Sequence, residues 1–166
     1  MKSIRAFLLL SAFSGLQLAQ GADLTSQSVL TLEGAKHVAA AAVAYAHAHD
    51  APGASIAIVD AGGHTIYLER LDGTFGASSD VSIGKARTAA NFKHATRALE
   101  DSINNGRPAL AAVIASTPFT PLRGGVPILV NGQIVGAIGV SGAATADQDE
   151  EIATAGARAL ESGHGQ

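Results

Sequence analysis

Six histidines, fourteen acids and eleven Lys or Arg residues carry most of the chemistry open to this chain, which has no Cys, no Trp and a single Met at its start. A cysteine nucleophile, a thiolate metal site and a disulfide framework are therefore excluded. A transition-metal ligand has to come from His37, His47, His49, His64, His94, His164, a Tyr or an oxygen donor. His37 stands out by its company. At about 100° per residue it falls opposite the stripe begun by Leu32, Ala35 and Val38, on a face shared with Ala40, Ala41, Ala44 and Ala48. A solvated helix face ordinarily carries charges. Methyl groups around one imidazole suit a large flat apolar ligand that needs one donor atom, or an alanine-rich contact with a second subunit in which His37 is merely hydrogen-bonded.

A second constellation follows on the central helical stretch. Lys85, Thr88, Phe92 and Thr96 share one stripe, while Ile83, Ala86 and Ala90 share an aliphatic one expected in the core. A cation, hydroxyls and an aromatic plate match a planar ligand bearing carboxylates; the plain alternative is a solvated face with one Phe. His94 lies nearer the core stripe, as a second candidate ligand or a buried, satisfied histidine. Arg123, before Gly124 and Gly125, places a cation beside free backbone amides, either to hold a carboxylate or to make a turn.

Other motifs fail on inspection. Gly139-Val-Ser-Gly-Ala143 ends in Ala and sits at the end of a hairpin strand, not on a nucleophile elbow. Gly136, Gly139 and Gly142 lack dinucleotide-binding spacing, no Walker sequence occurs, and these glycines instead suit close approach of a helix or subunit. His47 and His49, two residues apart on a helix, point about 200° apart, against a shared zinc ion. They suit a helix C-terminus.

The elements that must position these groups are legible from pattern. Thr31 caps a helix from Leu32 to about His49; Ala54–Asp60 and His64–Arg70 form a hairpin, followed by a Gly-containing loop over Leu71–Ser79. Asp80–Asn105 is helical with a break near Asn91–His94, and Arg107–Ala115 adds a short helix begun at Pro108. Thr117–Gly125 is irregular or one short edge strand. Asn131-Gly132 turns a second hairpin between Val126–Val130 and Gln133–Val140. The last helix starts at Thr145, with capping-box spacing to Gln148 and acids at its N-terminal end, and runs to about Glu161. The expected fold is a single-domain α/β sandwich: an antiparallel sheet flanked by helices in the order α-ββ-ααα-(β)ββ-α.

At 166 residues and 47% hydrophobic content the chain fits one domain. A formal charge of −3 without a basic cluster argues against nucleic acid as the main partner. Residues 1–21 read as a secretory signal: Lys2 and Arg5 lead an apolar Ala6–Leu18, and Ala19-Gln-Gly21 offers small residues for cleavage. The apolar stretch is too short and interrupted for a stable membrane span. The mature chain is then residues 22–166, secreted or periplasmic, more acidic and free of Met.

Five segments in order, Leu30-Thr-Leu-Glu-Gly-Ala-Lys36, Ala57-Ile-Val-Asp-Ala-Gly-Gly63, Lys85-Ala-Arg-Thr-Ala89, Gly124-Gly-Val-Pro-Ile128 and Gly136-Ala-Ile-Gly-Val-Ser-Gly142, resemble the GlcG/HbpS family, whose domain also ends PduO-type corrinoid proteins. The resemblance spans about Leu30 to Leu160. It implies a profilin-like sandwich, homo-oligomers, haem binding in some members and, for secreted members, a sensor protein as partner. The family's types of haem contact, a His on the first helix and a Thr or neighbouring group on the central one, would fall near His37 and around Thr88 to Thr96. On this reading His37 ligates the haem iron, His94 or Thr96 are secondary candidates, and Lys85 and Arg123 pair with propionates. Two alternatives stand beside it: a small-molecule or corrinoid-related accessory protein using the same cleft, and a structural oligomer without a ligand.

Overall fold

The computed structural model describes residues 25–161; residues 1–24, where the signal expected from the sequence falls, and residues 162–166 lie outside them. The elements are α1 (Leu32–Ala48), β1 (Ser55–Asp60), β2 (Thr65–Arg70), α2 (Ser78–Phe92), α3 (Thr96–Asn104), a 3-10 segment (Pro108–Ala115), β3 (Gly125–Val130), β4 (Gln133–Ser141), α4 (Ala146–Ala157) and a closing 3-10 turn (Arg158–Leu160). The sheet is antiparallel with strand order β2-β1-β4-β3. Pro127 is tolerated because β3 is an edge strand. Asn131 and Gly132 have φ of 50° and 75°, the left-handed pair that a tight hairpin turn requires.

Alternation along β1 and β4 sorts side chains onto two unlike faces. Ile56, Ile58, Ile138 and Val140 point to one side, where they join Val38, Ala42 and Ala46 of α1 and Ile152 and Ala153 of α4 in the main core. Ala57, Val59 and Ala137 point to the other, against Ala86, Ala89 and Ala90 of α2. This second face is built from small residues, so α2 lies close to the strands. A Cβ on Gly139 would stand 2.0 Å from the Ser82 carbonyl oxygen, and one on Gly125 would stand 2.5 Å from that of Lys85.

Local sequence explains the helix ends. Thr31 Oγ1 accepts from Gly34 N at 3.1 Å and starts α1. Lys93, with φ 56°, ends α2 in a left-handed cap. Thr145 Oγ1 accepts from Gln148 N at 3.0 Å, but the Gln148 side chain reaches the Ala144 N–H rather than that of its N-cap.

Several expectations need correction. Leu32, the first residue of the proposed α1 stripe, is 51% exposed, because the buried stripe runs through Ala35, Val38, Ala39, Ala42 and Ala46. Ile83 is only partly buried. Of the two readings of Thr117–Gly125, the irregular one holds through Gly124 and Gly125 opens β3, while the short helix from Pro108 is 3-10 with no buried residue.

Candidate functional site

α1 carries His37 on its outer side. His37, Ala40 and Ala44 are exposed and Ala41 is half-buried, while the opposite stripe enters the core. The His37 imidazole makes no hydrogen bond to another described residue, leaving both ring nitrogens for solvent or a ligand. His47 and His49 are also exposed; His49 stacks on Tyr45 with ring centroids 3.8 Å apart.

The second constellation does not form the open stripe read from the sequence. The left-handed Lys93 breaks the helix, so Thr96 begins α3 instead of continuing the line of Lys85, Thr88 and Phe92. Thr88 is fully buried and accepts from Thr120 N at 2.8 Å; Thr96 is fully buried and accepts from Gly125 N at 2.8 Å. Phe92 packs on Phe119, with centroids 5.0 Å apart. His94 is exposed in the turn between α2 and α3, away from the aliphatic core.

Lys85 is 3% exposed, and its ammonium donates to Val140 O at 2.8 Å and to Asp149 Oδ2 at 2.9 Å. The other oxygen of Asp149 accepts from Ala143 N at 3.0 Å. This pair joins α2 on one face of the sheet to the start of α4 on the other, past the end of β4. Gly124 makes the crossing possible. With φ 108°, it leaves no room for a Cβ, which would stand 2.7 Å from Val140 O and 3.2 Å from Lys85 Nζ.

Arg123 sits among acids instead of open amides. Its Nη1 donates to Asp147 at 2.8 Å, its Nη2 to Asp101 at 3.0 Å, and its Nε lies 3.1 Å from Glu100. Arg97 pairs with Asp147 and Glu150. The hydrogen bond from Arg123 holds the Asp147 carboxyl below the usual carboxylate range, with Arg97 adding to the effect. The same bond raises Arg123 further above its already high value.

The proposed contacts therefore fall into two places. His37 lies on the α1 layer; Lys85, Thr88 and Phe92 lie on α2 across the sheet. A single chain does not bring them to one cleft. Asp149 and Ser141 were missed as members of a polar cluster. Asp149 carried a signal, since it falls in phase with the core positions Ile152, Ala153 and Gly156, where an acid needs a buried partner. Among the described residues no group of three or more His, Cys, Asp or Glu side chains is placed to hold a metal ion. No helix among them is long and apolar enough to cross a membrane.

Comparison with known proteins agrees with this architecture. Residues 30–158 match a family model described as "Haem degrading protein HbpS-like". Protein GlcG of Escherichia coli K12 is 45% identical over 87 residues, which cover 52% of this chain and 63% of GlcG, less than two thirds of that relative's length. A double mutant of HbpS from Streptomyces reticuli has TM-score 0.72 at 34% identity, covering 94% of this chain and 99% of that one. The crystal structure of a PduOC:heme complex has TM-score 0.71 at 27% identity, covering 80% and 96%.

Proposed function

The chain belongs to the HbpS-like family of haem-degrading proteins, and we propose that it is an exported, homo-oligomeric haem-binding protein in which His37 of α1 ligates the iron. The carrying observation is the His37 face: an exposed imidazole without an intramolecular partner among the described residues, on a helix side of alanines. The donor set fits the group. A neutral imidazole nitrogen is a common ligand of haem iron, and His37 would hold it beside the small side chains of Ala40, Ala41 and Ala44. When bound, haem supplies the redox and oxygen chemistry of its iron; the chain's own part is to hold and orient it.

Lys85 has no place beside that haem within one chain, since it is buried with Asp149 across the sheet. Arg123 retains a side chain that is 24% exposed, yet its nitrogens face Glu100, Asp101 and Asp147. An assembly in which a second copy faces α1 supplies the missing wall, and the PduOC:heme neighbour supports haem as the ligand class. Export is inferred from Lys2, Arg5 and the apolar run before Gly21.

Haemin titration tests the reading. A Soret shift in the wild type that disappears in His37→Ala and persists in His94→Ala is the expected result. Absence of any Soret change at micromolar haemin overturns the function; loss in His94→Ala alone moves the ligand. Mass measurement of the exported product checks cleavage after Gly21, and native mass checks the oligomer.

A further inference from the structure

A cavity of about 680 Å³ opens where α2, the end of β4 and the start of α4 meet, away from the His37 face. Its floor is polar and buried: Lys85 is 3% exposed, Ser141 5% and Asp149 6%. Its mouth is apolar, with Phe75 57% and Leu122 50% exposed.

The floor holds unused hydrogen-bond donors. Ser141, a nearly buried residue of the cavity lining, makes no side-chain hydrogen bond to any described residue. The Lys85 ammonium has three N–H groups and two acceptors, Val140 O and Asp149 Oδ2. Both Asp149 oxygens already accept a protein donor. At the rim the Ala146 and Asp147 amides open α4 without an intrahelical acceptor, while the Gln148 amide is capped by Thr145 and the Asp149 amide donates to Thr145 O. The floor therefore holds a spare Lys85 N–H and the Ser141 hydroxyl with no protein acceptor, which a carboxylate can supply. Arg123 at the wall is already matched by Glu100, Asp101 and Asp147, so the charge available to a ligand is that of Lys85, shared with Asp149, and a ligand with a single negative charge fits better than one with two.

We infer that this cavity binds a small monocarboxylate with a short apolar tail. The carboxylate accepts from the Ser141 hydroxyl and the remaining Lys85 N–H, and the tail lies against Phe75 and Leu122. Arg123 closes one side: its Nη1 and Nη2 donate to Asp147 and Asp101, and its buried Nε lies 3.1 Å from Glu100 without forming a hydrogen bond. The inference does not depend on haem binding.

Butyrate is the probe, with butanol as its neutral counterpart, followed by calorimetry and amide chemical shifts on the full-length mature protein. Saturable butyrate binding at least about tenfold tighter than butanol is expected, with shifts at Gly142–Ala146 and around Leu122. Removing a hydrogen bond to a charged group in Ser141→Ala weakens butyrate by about tenfold or more with an unchanged circular dichroism spectrum. Leu122→Glu, at an exposed mouth position, also weakens it without disturbing the core. Equal affinity for butanol, unchanged affinity in Ser141→Ala, or shifts confined to α1 around His37 overturns the inference. Haemin carries the same chemistry on its propionates: displacement of butyrate by haemin but not by its dimethyl ester upholds the carboxylate site and makes a propionate its occupant. Loss of haemin binding in His37→Ala with butyrate binding intact separates the two readings.

Discussion

The two faces of the sheet are made by the same strands and are held in opposite ways. Toward α1 and α4, Ile56, Ile58, Ile138 and Val140 fill a wide layer, and stability comes from apolar area removed from water. Toward α2, Ser55, Ala57, Ala137 and Gly139 leave little side chain to bury, and stability comes from close backbone approach and satisfied polar groups. Ser55 Oγ meets Ser78 Oγ at 2.7 Å on that side. The thin layer is also where polar chemistry collects. Because α2 rides low over β4, Lys85 reaches past the strand's end to Asp149, and the cavity opens beside that pair.

Breaking the pair should have the largest effect. Lys85→Met leaves Asp149 as a buried charge without its partner and should lower the unfolding free energy by about 3–5 kcal/mol. Adding Asp149→Leu should recover most of that loss, since a buried ion pair replaced by apolar side chains of similar volume is often neutral. Urea denaturation of both variants checks this, and a single-variant loss below about 1 kcal/mol would show that solvent reaches the pair.

Neighbouring residues on β4 sharpen the contrast. Ile138→Ala opens a hole in the wide layer, at an expected cost of about 3 kcal/mol. Gly139→Ala makes the opposite error in the thin layer, forcing a methyl against Ser82 O and Ala86 N, and should cost about 2 kcal/mol. Trimming Ala86 to Gly should not rescue Gly139→Ala, because the obstruction is backbone. Rescue, read as a recovered urea midpoint, would mean that α2 shifts freely over the sheet.

The elements were legible where local chemistry is self-sufficient. Thr31, the Asn131-Gly132 turn and the apolar periods of α1 and β4 act within a few residues, and the helices and hairpins follow from them. Lys85 was misread for a physical reason. Its helical phase gives the direction of departure from α2, but whether it ends in solvent or against an acid depends on α4, in sequence far away and in space across the sheet. Thr88 and Thr96 were misread likewise: each hydroxyl is taken by a backbone N–H of a distant segment. His37 is the contrasting case, since exposure opposite a buried stripe is a property of α1 alone.

α3 belongs to neither layer, and it gives the smallest and most condition-dependent prediction. Thr96 is its only buried residue, so its attachment rests largely on Arg97 to Asp147 and Glu150, and on Glu100 and Asp101 to Arg123. Asp147 accepts from both arginines, and its pKa in the folded chain is lowered, first by the Arg123 hydrogen bond. A depressed carboxylate contributes stability that is present above its unfolded pKa and lost as pH falls through the folded one. The contribution should therefore fade on acidification below about pH 4. Asp147→Asn should remove that part of the acid dependence, giving a flatter Tm profile between about pH 5 and pH 2. The pairs are largely exposed, so added salt should shrink the difference and the effect should stay below that of Gly139→Ala. Superimposable acid profiles for wild type and Asp147→Asn would mean that α3 is held by its packing, and that the ionic cluster only decorates it.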